Sequence, residues 1–385
     1  MTNAYGLRVL YLVPDLSDPA VQKRVSMLED GGAAVTLAGF RRTAEPLNTV
    51  AGRPVVDFGQ TYNGGFAQRL WAVLREVAFL KKRRALFNSA NLILARNLEM
   101  LAIGIRGCNL SKAKPVVVYE CLDIHRLLLN KGLVGFLLRH LEGALGKHAR
   151  ALITSSPAFV ERYFNRISRV RLPVRLIENK FYVPAADGFS IDRKIEFSRP
   201  PGPPWRIGWF GAIRCRESLS LLTKLVDRSD GKVEVVIRGH PAFDQFEDFD
   251  KSTARTPGLC FLGPYANPQD LAAIYRDVHF TWAIDKLEAG LNSSWLLPNR
   301  LYEGGYFASV PLAEKSVETG RFLERLGIGV TLEESLSDSL AAFFSTLTAD
   351  RYRALEKAAV SIPEQTWRCD TRDCAALVQY LKSLT

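Results

Sequence analysis

The sequence predicts two α/β domains in one chain, each a parallel sheet covered by helices, with a last helix crossing back to the first domain. Three observations carry that reading. Short, wholly apolar runs alternate with amphipathic segments in both halves of the 385 residues. The alternation stops at the proline-rich run SRPPGPPW (198–205), and beyond it restarts in the same rhythm. Strands apolar on both faces that alternate with helices belong to parallel sheets buried on both sides. A run so rich in proline continues neither a helix nor a central strand, so it reads as a linker. Domains are expected at 1–197 and 205–362, with 363–385 returning to the first. The two Rossmann-like sheets are expected to face a cleft.

In the first half, LRVLYLV (7–13) reads as a strand and DPAVQKRVSMLEDGG (18–32) as a helix closed by glycine. AAVTLAGF (33–40) is the next strand, and residues 64–90 read as one long basic amphipathic helix. Strands follow at NLILAR (91–96), PVVVYECLD (115–123) and RALITSS (150–156). In the second half they are expected at 205–213, 232–239, 258–265, 279–284 and 309–314, with helices at 216–228, 267–277 and from 299.

The net charge is +11, and the first 200 residues supply the excess while the remainder is slightly acidic. A basic half serves nucleic acid, an anionic membrane or a phosphorylated substrate. No apolar run reaches the ~18 residues of a membrane span. The start, MTNAYGLRVLYLVPD, lacks a basic lead and a cleavage site, so it reads as a first strand rather than a signal peptide. The six cysteines form no CxxC pair and the five histidines no ligand spacing. Reduced thiols in the cytoplasm and no bound metal are the expectation.

Ligands of open parallel sheets bind beyond the carboxyl ends of the strands. There WFGAIRCRES places Gly211, then Arg214 and Arg216 at a helix start. Glycine permits backbone to approach a phosphate, and a guanidinium supplies countercharge. PNRLYEGG sets Arg300 and Glu303 one turn apart on one helix face, beside Asn299. A surface ion pair of that spacing is worth only ~0.3–0.5 kcal/mol; the alternative puts the arginine at a diphosphate and the carboxylate at ribose hydroxyls. Asp285, Asn292 and Ser293, in AIDKLEAGLNSSWLLPN, offer partners to sugar hydroxyls, and His240 ends a strand at the same rim. Neither GxGxxG nor GxxxxGK[ST] occurs, which argues against dinucleotide oxidoreductases and P-loop enzymes. In the first half, Asp123 follows a strand beside Glu120 and His125, while Asp15 and Asp18 lie in VPDLSDP. Asp18, before Pro19, suits a helix N-cap. Asp248-Phe249-Asp250, within the acidic FDQFEDFDK, reads as a solvated face.

These residues carry a resemblance. LPNRLYEGGYFASVPL resembles the C-domain signature of GT-B glycosyltransferases of the family 4 type, in which a P-N-[KR]-x-x-E helix precedes a G-x-P turn. WFGAIR, IRGHP, LGPYANPQDLAAIYRDVHFTWAID and YLVPDLSDPAVQKRVSMLEDGGAAVTLAGFRR sit in the order that family uses. The last, with VYECLDIHR, most resembles glucosyltransferases of bacterial exopolysaccharide assembly, such as those of succinoglycan biosynthesis. The likeness covers nearly the whole chain and is weakest over 40–85 and 180–200. It implies that Glu303 holds the nucleotide ribose, Arg300 the diphosphate, and Arg214 or Arg216 further phosphate contacts, without a metal. Retaining members carry an E-x7-E pair, whereas Trp295 stands eight residues before Glu303 here. The expectation is therefore an inverting enzyme with its general base in the first domain, Asp123 first and Asp15 next.

The resulting expectation is a hexosyltransferase moving glucose from UDP-glucose to a polyprenyl-diphosphate-linked glycan. Residues 66–87 mix Trp, Phe and Leu with Lys81, Lys82, Arg83 and Arg84, and would dock the protein on the anionic inner face of the plasma membrane. No nucleic-acid partner is expected. The alternatives are a UDP-sugar 2-epimerase-like isomerase of the same fold, or a non-enzymatic basic protein binding nucleic acid or membrane.

Overall fold

The computed structural model describes residues 6–62, 66–185 and 200–385. Its contacts divide the chain into two units. The first comprises Met1–Glu178, Pro184–Gly188 and Asp370–Thr385; the second, Asn179–Val183 and Phe189–Cys369.

Unit one is built on β1 (Arg8–Val13), β2 (Ala34–Arg41), β3 (Thr49–Val50), β4 (Arg53–Gln60), β5 (Leu92–Arg96), β6 (Val116–Cys121), β7 (Ala151–Thr154) and β8 (Val174–Leu176). They lie in the order β3-β4-β2-β1-β5-β6-β7-β8, parallel except for the β3–β4 hairpin. The wholly apolar runs take the centre: β1, β5, β6 and β7 are buried almost throughout. The edges are strands that the sequence reading missed. β4 contains Pro54, Asp57 and Gly59 and is mostly half-buried, and β8 is three exposed residues, so neither shows an apolar run. The single helix expected over 64–90 is divided into Phe66–Phe79, a tighter 3-10 turn at Leu80–Arg83 and a short helix at Arg84–Asn88. The tightened turn carries Lys81, Lys82 and Arg83 in succession, and Arg83 turns back to Glu76. Residues 64 and 65 lie outside the described residues.

Unit two is built on β9 (Trp205–Ile213), β10 (Val233–Pro241), β11 (Leu259–Phe261), β12 (Phe280–Trp282), β13 (Val310–Glu314) and β14 (Val330–Leu332), in the order β11-β10-β9-β12-β13-β14 and all parallel. Successive strand residues alternate between two buried clusters. Trp209 joins Ile207, Val235 and Leu312, and Phe210 joins Val236, Leu301 and Trp367. In each unit the first strand lies inside the sheet, the next ones step to one side, and the chain then crosses to the other, as in nucleotide-binding doubly wound sheets.

The final helix, Thr371–Ser383, belongs to unit one and packs on the helix Pro19–Asp30. A Cβ at Gly31 would fall 2.3 Å from the Cys374 carbonyl oxygen, so glycine there permits the close approach. Residues 363–369 stay with unit two, because Trp367 is fully buried there and Phe181 bridges to Arg368. Among the described residues no helix is long and apolar enough to cross a membrane.

Candidate functional site

The topological switch point, the crevice where neighbouring strands feed opposite sides of the sheet, falls in unit two between β9 and β12. Just beyond their carboxyl ends stand Arg214 and Asp285. The Asp285 side chain is 9 % exposed, and its Oδ2 lies 4.0 Å from an Arg214 nitrogen and 3.9 Å from one of Arg300. Its Oδ1 accepts hydrogen bonds from the Leu287 amide (3.0 Å) and the Ser293 hydroxyl (2.9 Å). Burial works against the Asp285 carboxylate, but Arg300, the Leu287 amide, Arg214 and Ser293 outweigh it and hold its pKa below the usual value. Arg300 Nη2 also donates to the Ile284 carbonyl at 2.7 Å. Its Nε is buried without a hydrogen-bond partner among the described residues, as is Nε of Arg238.

The helix Asn299–Tyr306 presents Arg300 and Glu303 from one turn. Glu303 is 9 % exposed. Tyr275 donates its phenol to Oε2 at 3.0 Å and Asn267 its amide to Oε1 at 3.4 Å. Burial, and then the Glu303 charge, push the phenols of Tyr275 and Tyr265 upward, so both remain protonated donors. Gly304 and Gly305 serve packing. Their Cβ atoms would stand 2.3 Å from Thr281 Oγ1 and 2.5 Å from the Trp367 ring.

The other expected residues are placed as follows. Gly211 is not beyond the strand but inside β9, at φ +106°, paired with Gly239 of β10 at φ +135°. A Cβ at Gly239 would fall 1.9 Å from the Gly211 carbonyl oxygen, so this pair of glycines lets the strand ends approach. Arg216 is drawn away from Asp285 to the Gln245 carbonyl and Glu247. His240 is exposed on β10 opposite Ala212, Asn299 is exposed at the helix start, and Asn292 is buried. Asp248 caps the helix Phe249–Arg255 and pairs with Lys251, which accounts for the DxD string. Tyr265, Asn267, Tyr275 and Arg238, which surround Arg300 and Glu303, were not among the expected residues; they lie in IRGHP and LGPYANPQDLAAIYRDVHFTWAID, whose order along the chain says nothing of which side chains meet.

In unit one the corresponding crevice lies between β1 and β5. Asp15 follows β1. Its Oδ1 accepts from the amide and hydroxyl of Ser17, and its Oδ2 lies 3.9 Å from Arg42. Asp18 caps the helix Pro19–Asp30 and pairs with Arg96 at 3.3 Å. Asp123 is exposed in the loop after β6. Glu120, which the sequence places beside Asp123, is fully buried. It accepts from Tyr11 and from Arg24 at 2.8 Å, and lies 3.5 Å from Arg96. Alternation along β6 sends successive side chains to opposite faces, which an argument from sequence proximity overlooks. His125 caps the turn Arg126–Leu129, its Nδ1 accepting from Leu127; burial, with Arg69 and Arg126 nearby, holds its pKa below the usual imidazole value. Among the described residues no three His, Cys, Asp or Glu side chains are grouped to hold a metal ion.

The chain is 47% identical over 382 residues to the succinoglycan biosynthesis protein ExoL of Rhizobium meliloti, covering 98% of this chain and 94% of that one. No family model matches. Among solved structures, sucrose-phosphate synthase of Thermosynechococcus elongatus superposes with a TM-score of 0.73 at 11% identity, over 98% of this chain and 99% of that one. Anabaena HepE in complex with UDP superposes with a TM-score of 0.67 at 16% identity, over 98% and 100%. The likeness establishes the fold as GT-B, two Rossmann-like units in one chain.

Proposed function

We propose, because this chain belongs to the family of the succinoglycan biosynthesis protein ExoL, that it is a glycosyltransferase of exopolysaccharide assembly using a UDP-hexose, UDP-glucose in the first instance. The observation that carries the reading is the turn at Arg300 and Glu303. Arg300 comes to the crevice with a buried, unpartnered Nε beside Arg214, and Glu303 is held in place by Tyr275. This pairs cations for a diphosphate with an oriented carboxylate for two ribose hydroxyls. HepE, a structural neighbour, has been solved with UDP-glucose.

In the proposed reaction the acceptor hydroxyl gives its proton to Asp123 as its oxygen attacks the anomeric carbon. The bond to the UDP oxygen breaks, configuration inverts, and Arg300 and Arg214 take the leaving diphosphate's charge without a metal. Asp15 is the second candidate base. The acceptor is a polyprenyl-diphosphate-linked glycan at the inner face of the plasma membrane. Docking there falls to residues 66–87, whose helix exposes Leu70, Trp71, Leu74 and Phe79, with Arg75 over the Trp71 ring and Lys82 over that of Phe79.

The test is calorimetric titration of UDP, GDP and UDP-glucose, in EDTA, into the wild type and Glu303→Ala. UDP should bind the wild type metal-free, and the variant should lose ~1.5–3 kcal/mol, roughly 10- to 150-fold in affinity. Undiminished binding by the variant would remove Glu303 from the site, and no nucleotide binding at all would end the transferase reading.

A further inference from the structure

The helix Leu133–Gly146 is turned inside out. It buries Gly135, Glu142, Gly143 and Gly146. Outward it exposes Leu133, Val134, Phe136, Leu137 and Leu141, between 47 % and 71 % of each. The inward face is specifically fitted. Glu142 accepts from Tyr119, Tyr163 and Ser168 at 3.1, 2.7 and 2.7 Å. A Cβ at Gly143 would fall 2.6 Å from that of Arg169, and one at Gly146 would stand 3.1 Å from Val170. Rotating the helix to hide its leucines would strip Glu142 of all three donors and drive larger side chains into those contacts. The apolar face is therefore outward by construction, where a soluble helix would turn it to the core.

The surroundings are predominantly basic. Residues 124–176 hold ten arginines and lysines against Glu142, which is buried, and Glu161. Arg126 and Lys131 precede the helix and Lys147 closes it, all exposed, while the Arg169 guanidinium lies over the Phe136 ring at 5.7 Å. The helix also packs against the helix Asn97–Leu110, which in turn packs against the helix Phe66–Phe79. Two helices of one layer thus expose apolar side chains among cations.

We infer that Leu133–Gly146 is a second lipid-docking element, seated in the interface of an anionic bilayer with Leu133, Phe136, Leu137 and Leu141 inserted and Arg126, Lys131 and Lys147 among the headgroups. Its occupant is the lipid surface itself. A protein partner would need a matching acidic, apolar groove, whereas an anionic bilayer meets both features at once and serves both helices. The site is independent of the nucleotide and of residues 66–87.

The experiment is flotation of the full chain with vesicles of phosphatidylcholine alone, or of phosphatidylcholine mixed with phosphatidylglycerol. Wild type should float with the mixed vesicles only. Leu137→Glu with Leu141→Glu should cut that partition about tenfold or more, with unchanged thermal stability because both side chains are already exposed. Lys131→Glu should cost about fivefold. Trp71→Ser, on the other helix, should leave a partition that the Leu137/Leu141 pair still reduces. Retained UDP binding in every variant separates docking from the donor site, so flotation without nucleotide binding would fail the transferase reading and leave this one standing. Unchanged flotation of the Leu137/Leu141 variant would overturn the proposal. So would sedimentation showing that the wild type self-associates through this face and the variant does not.

Discussion

Asp285 decides what the arginines of the crevice do before any ligand arrives. Its folded-state pKa lies below the unfolded one, so its stabilisation is present above the unfolded value, ~3.9, and is lost as pH falls through the folded value. Asp285→Asn should cost about 1–2 kcal/mol at neutral pH and progressively less on acidification, read by urea melts across that range. A pH-independent loss would mean the carboxylate's charge is not what matters. The proposed base allows an equally sharp comparison. Asp123→Asn should lower kcat about 100-fold or more with UDP affinity intact; if Asp15→Asn does so instead, the roles exchange. At this scale the sequence was partly legible. Arg300 and Glu303 announce themselves by spacing, and Asp18 by the proline after it. Asp285 meeting Arg300 is a tertiary fact with no local trace, and Arg216 differs from Arg214 only in which loop it meets.

Elements were legible where burial is two-sided and illegible where it is not. β1, β5 and β9 show as apolar runs because both of their faces are covered, whereas β14 is three residues of which only Leu332 is buried and β4 carries turn residues. The helix Leu133–Gly146 inverts the rule outright, since its glycines and glutamate face inward. The Gly304-Gly305 pair states its function only in three dimensions, as room for Thr281 and Trp367. Gly304→Ala should therefore destabilise unit two by about 1–3 kcal/mol and displace Glu303 on the same turn. Thermal melts with and without UDP would show both losses together. A melt at the wild-type temperature would mean that the sheet yields to the extra methyl.

The whole molecule depends on a chain that leaves one unit and returns to it. Two similar α/β halves were legible because their alternation repeats across a proline-rich break. The place of the return was not, because residues 363–385 read as one helical tail. Trp367 divides that tail: it is buried in unit two, and only from Asp370, with its capping box to Asp373, does the chain rejoin unit one. The last helix buries Cys374, Leu377, Val378 and Leu381. At ~1.5–3 kcal/mol for each large apolar side chain, its removal costs unit one a substantial share of the ~5–15 kcal/mol that a domain possesses. Ending the chain after Cys369 should thus lower the unfolding transition of unit one while leaving that of unit two, the one raised by added UDP, in place. Differential scanning calorimetry with and without UDP separates the two. If truncation lowered the UDP-sensitive transition equally, the last helix would be supporting the nucleotide unit, and the division of the chain at Asp370 would not describe how it folds.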